Sequence, residues 1–134
     1  MSTIDKLGLI LIRNRKTLVA RSKGKQVFFT PGGKREGKET DEEALTREIK
    51  EECNVSLIQP TISYFNTYQC QAYGKPPGVL VKITGYQAEY STDHELKASS
   101  EVEELRWIDS SQRALTTATG QLILDDLKQK NLID

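Results

Sequence analysis

The chain has 134 residues, 37% of them hydrophobic, and 19 Lys plus Arg balance 19 Asp plus Glu to give a formal net charge of zero. That length makes one domain with a core of its own. The balanced charge leaves no global field to draw the chain to nucleic acid or an acidic membrane, and the apolar run at residues 7–12 is too short to cross a bilayer.

In chain order, residues 6–13 and 17–21 read as two strands around the turn Asn14-Arg15-Lys16, and residues 27–30 as a short strand. Pro31-Gly32-Gly33 reads as a sharp turn with backbone open to a ligand, because glycine reaches conformations that a side chain forbids. A helix follows. Thr40 or Glu39 opens it, acidic residues at 39 and 41–43 suit its positive end, and Asn54 closes it in the left-handed conformation. Residues 58–71 form a long strand, 73–78 a Gly/Pro turn and 79–90 its hairpin partner. Residues 104–108 make one more strand, and apolar positions at 115, 118, 122, 123, 124 and 127 predict a closing helix over 115–130. Mixed strands and two helices suit an α/β sandwich, with no repeat or linker dividing residues 1–134. Residues 2–6 lack the basic start of a secretory signal. Cys53 and Cys70 offer neither a disulfide framework nor zinc spacing, so reduced thiols and a cytoplasmic location are expected.

The chemistry concentrates in the helix. Glu48, Glu51 and Glu52 stand at i, i+3 and i+4, which at about 100° per residue gathers three carboxylates within one arc. Like charges so close repel and call for a compensating cation. Mg²⁺ is the natural candidate, with Mn²⁺ as a substitute, because hard divalent ions prefer carboxylate oxygens and water. Leu45, Ile49 and Cys53 give the helix an apolar edge, Ala44 leaves room among the carboxylates, and Arg47 can orient a neighbouring carboxylate.

Residues 33–55 resemble the Nudix box of the MutT-like Nudix hydrolases, G-x5-E-x7-R-E-U-x-E-E-x-G-U with U a bulky aliphatic residue. Gly33, Glu39, Arg47, Glu48, Ile49, Glu51, Glu52 and Val55 stand at the matching places, and Asn54 replaces the last glycine. The resemblance implies a Nudix-type α/β/α sandwich with a mixed sheet between helices, and Mg²⁺-dependent cleavage of a nucleoside diphosphate linkage. It implies Glu48, Glu51, Glu52 and the Gly33 carbonyl as metal ligands, with Arg47 and Glu39 in support. A later acidic loop at residues 99–104 offers Glu101, six residues before Trp107, as general base or additional ligand, with Glu103 as runner-up. The alternative is a base drawn from the box itself.

Substrate contacts are expected at Phe29, Tyr73, Arg21 and Lys34. A (d)NTP pyrophosphohydrolase fits the short chain best. Tyr73, 18 residues past Val55, is a pointer toward dinucleoside polyphosphates, whereas position 71 is Gln where many ADP-ribose pyrophosphatases have proline. Dinucleoside polyphosphate, ADP-ribose or nucleotide-sugar hydrolysis and a non-catalytic nucleotide-binding module remain the alternatives. The expected partner is a small nucleotide, with no membrane or nucleic acid, and the chain acts as a monomer or homodimer. His94 falls in a turn, outside the chemistry.

Overall fold

A computed structural model describes residues 2–134. Eight strands and two α-helices follow one another: β1 Thr3–Leu9, β2 Ile12–Arg13, β3 Lys16–Ser22, β4 Phe28–Phe29, β5 Gly32–Gly33, α1 Asp41–Cys53, β6 Ser63–Gln71, β7 Leu80–Gln87, β8 Val102–Ile108 and α2 Ala118–Gln129. The strand layer is divided into two four-stranded sheets. One has the order β5-β1-β7-β6, with β1 and β7 parallel and the other pairs antiparallel. In the other, β3 pairs antiparallel with β2, β4 and β8.

The apolar run at 7–12 makes this layer possible. It is not one strand: β1 ends at Leu9 and β2 resumes at Ile12 in the second sheet. Alternation along it sends side chains to opposite faces. Leu7, Leu9 and Leu11 join Leu45, Ile49 and Cys53 of α1 in one buried cluster, while Ile10 joins Ile123, Leu124 and Leu127 of α2 in another. Both faces of the strand layer are therefore covered by a helix, the expected α/β/α sandwich. Truncating a fully buried anchor such as Ile49 would cost about 2–5 kcal/mol.

Four local expectations change. Gly32-Gly33 is a short strand pairing with Gly8 and Leu7, where a turn was expected. Residues 59–61 form a 3-10 turn around Pro60, so the long strand starts only at Ser63. Ser110–Leu115 is a 3-10 segment, and α2 begins after Thr117, whose hydroxyl caps the Gly120 N–H. Ala44, expected among the carboxylates, is fully buried in the core cluster with Leu45 and Ile49.

The box helix follows its sequence signals closely. Thr40 and Glu43 form a reciprocal capping box, with Glu43 N–H to Thr40 Oγ1 at 3.2 Å and Thr40 N–H to Glu43 Oε1 at 2.8 Å. At the other end Asn54 adopts φ +66° and donates its N–H to the Lys50 carbonyl, the left-handed cap for which asparagine substitutes for glycine.

Candidate active site

Strand β5 carries the box loop against α1. The Gly32 N–H donates to Glu52 Oε1 at 2.9 Å. A Cβ on Gly33 would stand 2.4 Å from Glu48 Oε2, and one on Gly32, at φ +144°, would stand 2.1 Å from the Leu7 carbonyl oxygen. Only glycine permits both the pairing with β1 and the approach of the Glu48 carboxylate to the backbone.

Arg47 organises the acidic groups around it. Its Nε and Nη2 reach Glu39 Oε2 and Oε1 at 2.8 and 2.9 Å, Nη1 reaches Glu48 Oε1 at 2.7 Å, and Nη2 reaches the Lys34 carbonyl at 3.0 Å. Glu39 also accepts the Glu36 N–H at 2.8 Å. These bonds, from Arg47 foremost and then from the Glu36 backbone, push the Glu39 carboxyl down to about 2, and Glu39 in turn holds the Arg47 proton more tightly. One guanidinium thus fastens the loop, Glu39 and Glu48 into a single unit.

A cleft of about 710 Å³ opens beside this unit. Strand β5 and the box contribute Gly32, Gly33, Lys34, Glu48 and Glu52; β1 and β7 contribute Ile4, Lys6, Val81 and Ile83; Phe29 of β4 and the adjoining Thr30 complete this side. The first turn of α2 adds Thr117, Thr119 and Gly120, and the turn between β6 and β7 adds Tyr73, Gly74 and Lys75. Burial, with the Glu48 and Glu51 charges adding to it, pushes the Glu52 carboxyl up to about 8, against the opposing bond from Gly32. Burial first, then Lys34, lowers the Lys6 ammonium.

Of the residues anticipated from sequence, Gly33, Lys34, Glu48, Glu52, Phe29 and Tyr73 line this one cleft, with Arg47 bracing it. Three lie elsewhere. Glu51 keeps a side chain 52% exposed, against 17% for Glu48, with Arg47 Nη1 3.6 Å away. The Arg21 guanidinium lies off the cleft, bound to Glu104 Oε1 at 3.3 and 3.2 Å and to the Lys25 carbonyl at 3.1 Å, because β3 and β8 pair Arg21 with Glu104. Glu101 is exposed, and only its carbonyl is engaged, by the Lys23 N–H at 2.9 Å. Among the described residues, no three His, Cys, Asp or Glu side chains converge on one point. Lys6 and Thr119 were not anticipated. Alternation with Ile4 was the available signal for Lys6, but only the pairing of β1 with β7 turns that face into a cleft wall.

A model of the NUDIX domain matches residues 5–123. The chain belongs to the NUDIX domain family. Nudix hydrolases act on phosphoanhydride bonds of small nucleotide substrates and use divalent metals, and this chain is an enzyme of that class. Solved structures share its fold. The MutT protein from Methanosarcina mazei Go1 superposes with a TM-score of 0.74 at 16% identity, over 97% of this chain and 96% of that one. The ORF135 protein of E. coli gives 0.70 at 22% identity, over 96% and 92%. The E. coli dihydroneopterin triphosphate pyrophosphohydrolase gives 0.69 at 15% identity, over 91% and 92%. No curated protein sequence matches. No helix among the described residues is long and apolar enough to cross a membrane.

The Nudix site fits a hard divalent ion. Carboxylate and backbone oxygens would be its donors, the glycine at 33 leaves the Glu48 carboxylate against the loop, and burial disfavours the Glu52 charge, which a cation would offset.

Proposed function

We propose that this Nudix hydrolase is a Mg²⁺-dependent pyrophosphohydrolase of nucleoside triphosphates, releasing the monophosphate and pyrophosphate. The observation that carries this reading is the meeting of Glu48 and Glu52 with the Gly32-Gly33 strand beside a cleft lined by Lys6, Lys25, Lys34 and Lys75. Carboxylates there suit a metal, and lysines suit a phosphate chain.

Glu48, Glu51, Glu52 and the Gly33 carbonyl would hold Mg²⁺, with Mn²⁺ as substitute; the ion when bound neutralises phosphate oxygens and makes water a better nucleophile. Glu51 belongs to this set through its place on α1, one turn from Glu48, and a rotamer change would bring it in. Arg47 keeps Glu48 oriented, and Glu39 keeps Arg47 oriented, so the ligands need little rearrangement. Lys34 meets a phosphate, and Phe29 and Tyr73 offer aromatic surface to the base. Glu101 takes the base role in the late loop. Its support is the hydrogen bond from Ser99 N–H to the Glu52 carbonyl at 3.0 Å, which ties that loop to the end of the box helix.

The triphosphate class also draws on the E. coli neighbour that acts on dihydroneopterin triphosphate, which this chain matches over nearly its whole length. The test is Mg²⁺-dependent release of pyrophosphate or phosphate across dNTPs, NTPs, oxidised nucleotides, ADP-ribose, nucleotide sugars and dinucleoside polyphosphates, beside Glu52→Gln. Selective turnover of triphosphates, lost in the variant, is expected. Turnover of ADP-ribose or nucleotide sugars alone would overturn the substrate, and silence across the panel would favour a non-catalytic nucleotide-binding module.

A further inference from the structure

We propose that Lys6 is a substrate-binding residue whose ammonium receives a phosphate, and that with Lys75 it makes the cleft favour a triphosphate chain over a diphosphate diester. This deepens the nucleotide-hydrolase reading and rests on it.

Strand β1 places Leu7 against α1, so Ile4 and Lys6 face the other way, beside Val81 and Ile83 of the parallel strand β7. Lys6 is thereby held half-buried in the cleft wall. Burying an ammonium is unfavourable unless a partner repays its lost hydration. Among the described residues, no hydrogen bond or ion pair reaches the Lys6 ammonium. Two carboxylates near it attract it, but neither is bonded to it: Glu48 is held by Arg47, and Glu52 accepts the Gly32 N–H. Lys34 and Lys75 line the same cleft and repel it. Three lysines from β1, the box loop and the β6–β7 turn therefore bring positive charge to one space, and none of them is ion-paired among the described residues.

A bound polyphosphate removes that repulsion and supplies the missing acceptor. A triphosphate carries one more phosphate than the diphosphate of ADP-ribose, and so offers more charge to a site with this surplus. The turn that brings Lys75 is itself fixed. The Gln71 amide donates to the Lys75 and Pro76 carbonyls at 3.2 and 2.9 Å and accepts the Gly78 N–H at 3.0 Å, so Lys75 is presented from an ordered loop.

Lys6→Met keeps the length and removes the charge. The expected result is a KM for the preferred triphosphate raised about ten- to a hundredfold with kcat unchanged. A smaller rise is expected for ADP-ribose, and Lys6→Arg should restore most of the loss. Calorimetry with inorganic triphosphate and pyrophosphate reads the same site without turnover, and Lys6→Met should weaken the former more. An unchanged KM and unchanged triphosphate binding would overturn the proposal, as would equal losses for triphosphate and diphosphate ligands. Were wild type to turn over nothing yet bind inorganic triphosphate through Lys6, the hydrolase reading would fall and the Lys6 assignment would stand. Should Lys6→Met fold poorly by circular dichroism, Lys75→Ala in the exposed turn and Lys6→Arg carry the same comparison.

Discussion

Arg47 grips Glu39 with a fork of two hydrogen bonds, Nε to Oε2 at 2.8 Å and Nη2 to Oε1 at 2.9 Å, while its remaining nitrogen holds Glu48. A lysine cannot reproduce this, since it presents a point charge where the guanidinium presents a planar array. Arg47→Lys should therefore lower kcat or apparent Mg²⁺ affinity by about ten- to a hundredfold, the cost of losing an outer partner of Glu48 as the proposed metal ligand. Steady-state kinetics across a Mg²⁺ titration checks it. Unchanged kinetics would mean that Glu48 needs no orienting.

The two glycines of β5 should fail differently. Gly33→Ala puts a methyl 2.4 Å from Glu48 Oε2, the end of a side chain that can move, so activity should be lost while the fold persists. Gly32→Ala meets the Leu7 carbonyl at 2.1 Å at a φ of +144° that side chains avoid, so the β1 pairing itself should suffer, at about 1–3 kcal/mol or more. Urea unfolding beside activity separates the two. Equal stability losses in both would refute the distinction.

The box helix was legible because its signals are local. Thr40, Glu43 and Asn54 cap it within a few residues, and Leu45, Ile49 and Cys53 declare the buried edge. Gly32-Gly33 was misread because its partners, Leu7 and Gly8, lie far back in the chain, and only pairing converts a glycine turn signal into a strand. The same distance hid Lys6, whose place in the cleft depends on β7, and the cross-strand Glu104 of β8 that takes up the Arg21 guanidinium. The break between Leu9 and Ile12 was invisible for a related reason. An unbroken apolar run reads as one buried strand whether it stays in one sheet or switches between two.

Acid should loosen the start of the box helix through Asp41. Arg35 Nε donates to Asp41 Oδ1 and Tyr86 Oη to Oδ2, each at 2.5 Å, and together they hold its carboxyl below the ordinary 3.8. A lowered folded-state pKa means that this stabilisation is present in full above the unfolded value and is lost as pH falls through the folded one. Asp41→Asn should be less stable than wild type near neutrality, and the gap should close as pH falls below the ordinary carboxylate value and through the lowered one. Urea midpoints at a series of pH values measure it. A constant gap would place the contribution in packing instead of charge.

The late acidic loop poses the sharpest question about the chemistry. Ser99 N–H binds the Glu52 carbonyl at 3.0 Å and Lys23 N–H binds the Glu101 carbonyl at 2.9 Å, so the backbone on either side of the Glu101 side chain is tethered while the side chain itself is exposed. An anchored backbone with an exposed acid suits a group that swings to a bound water. Glu101→Gln should then cut kcat by about a hundredfold and leave the melting temperature in place, since the exposed side chain makes no hydrogen bond or ion pair among the described residues. Glu103→Gln, two residues on in β8 and also exposed, is the matched control and should retain activity. Loss in the control with none in Glu101→Gln would transfer the role to Glu103, and no loss in either would return the base to the box carboxylates.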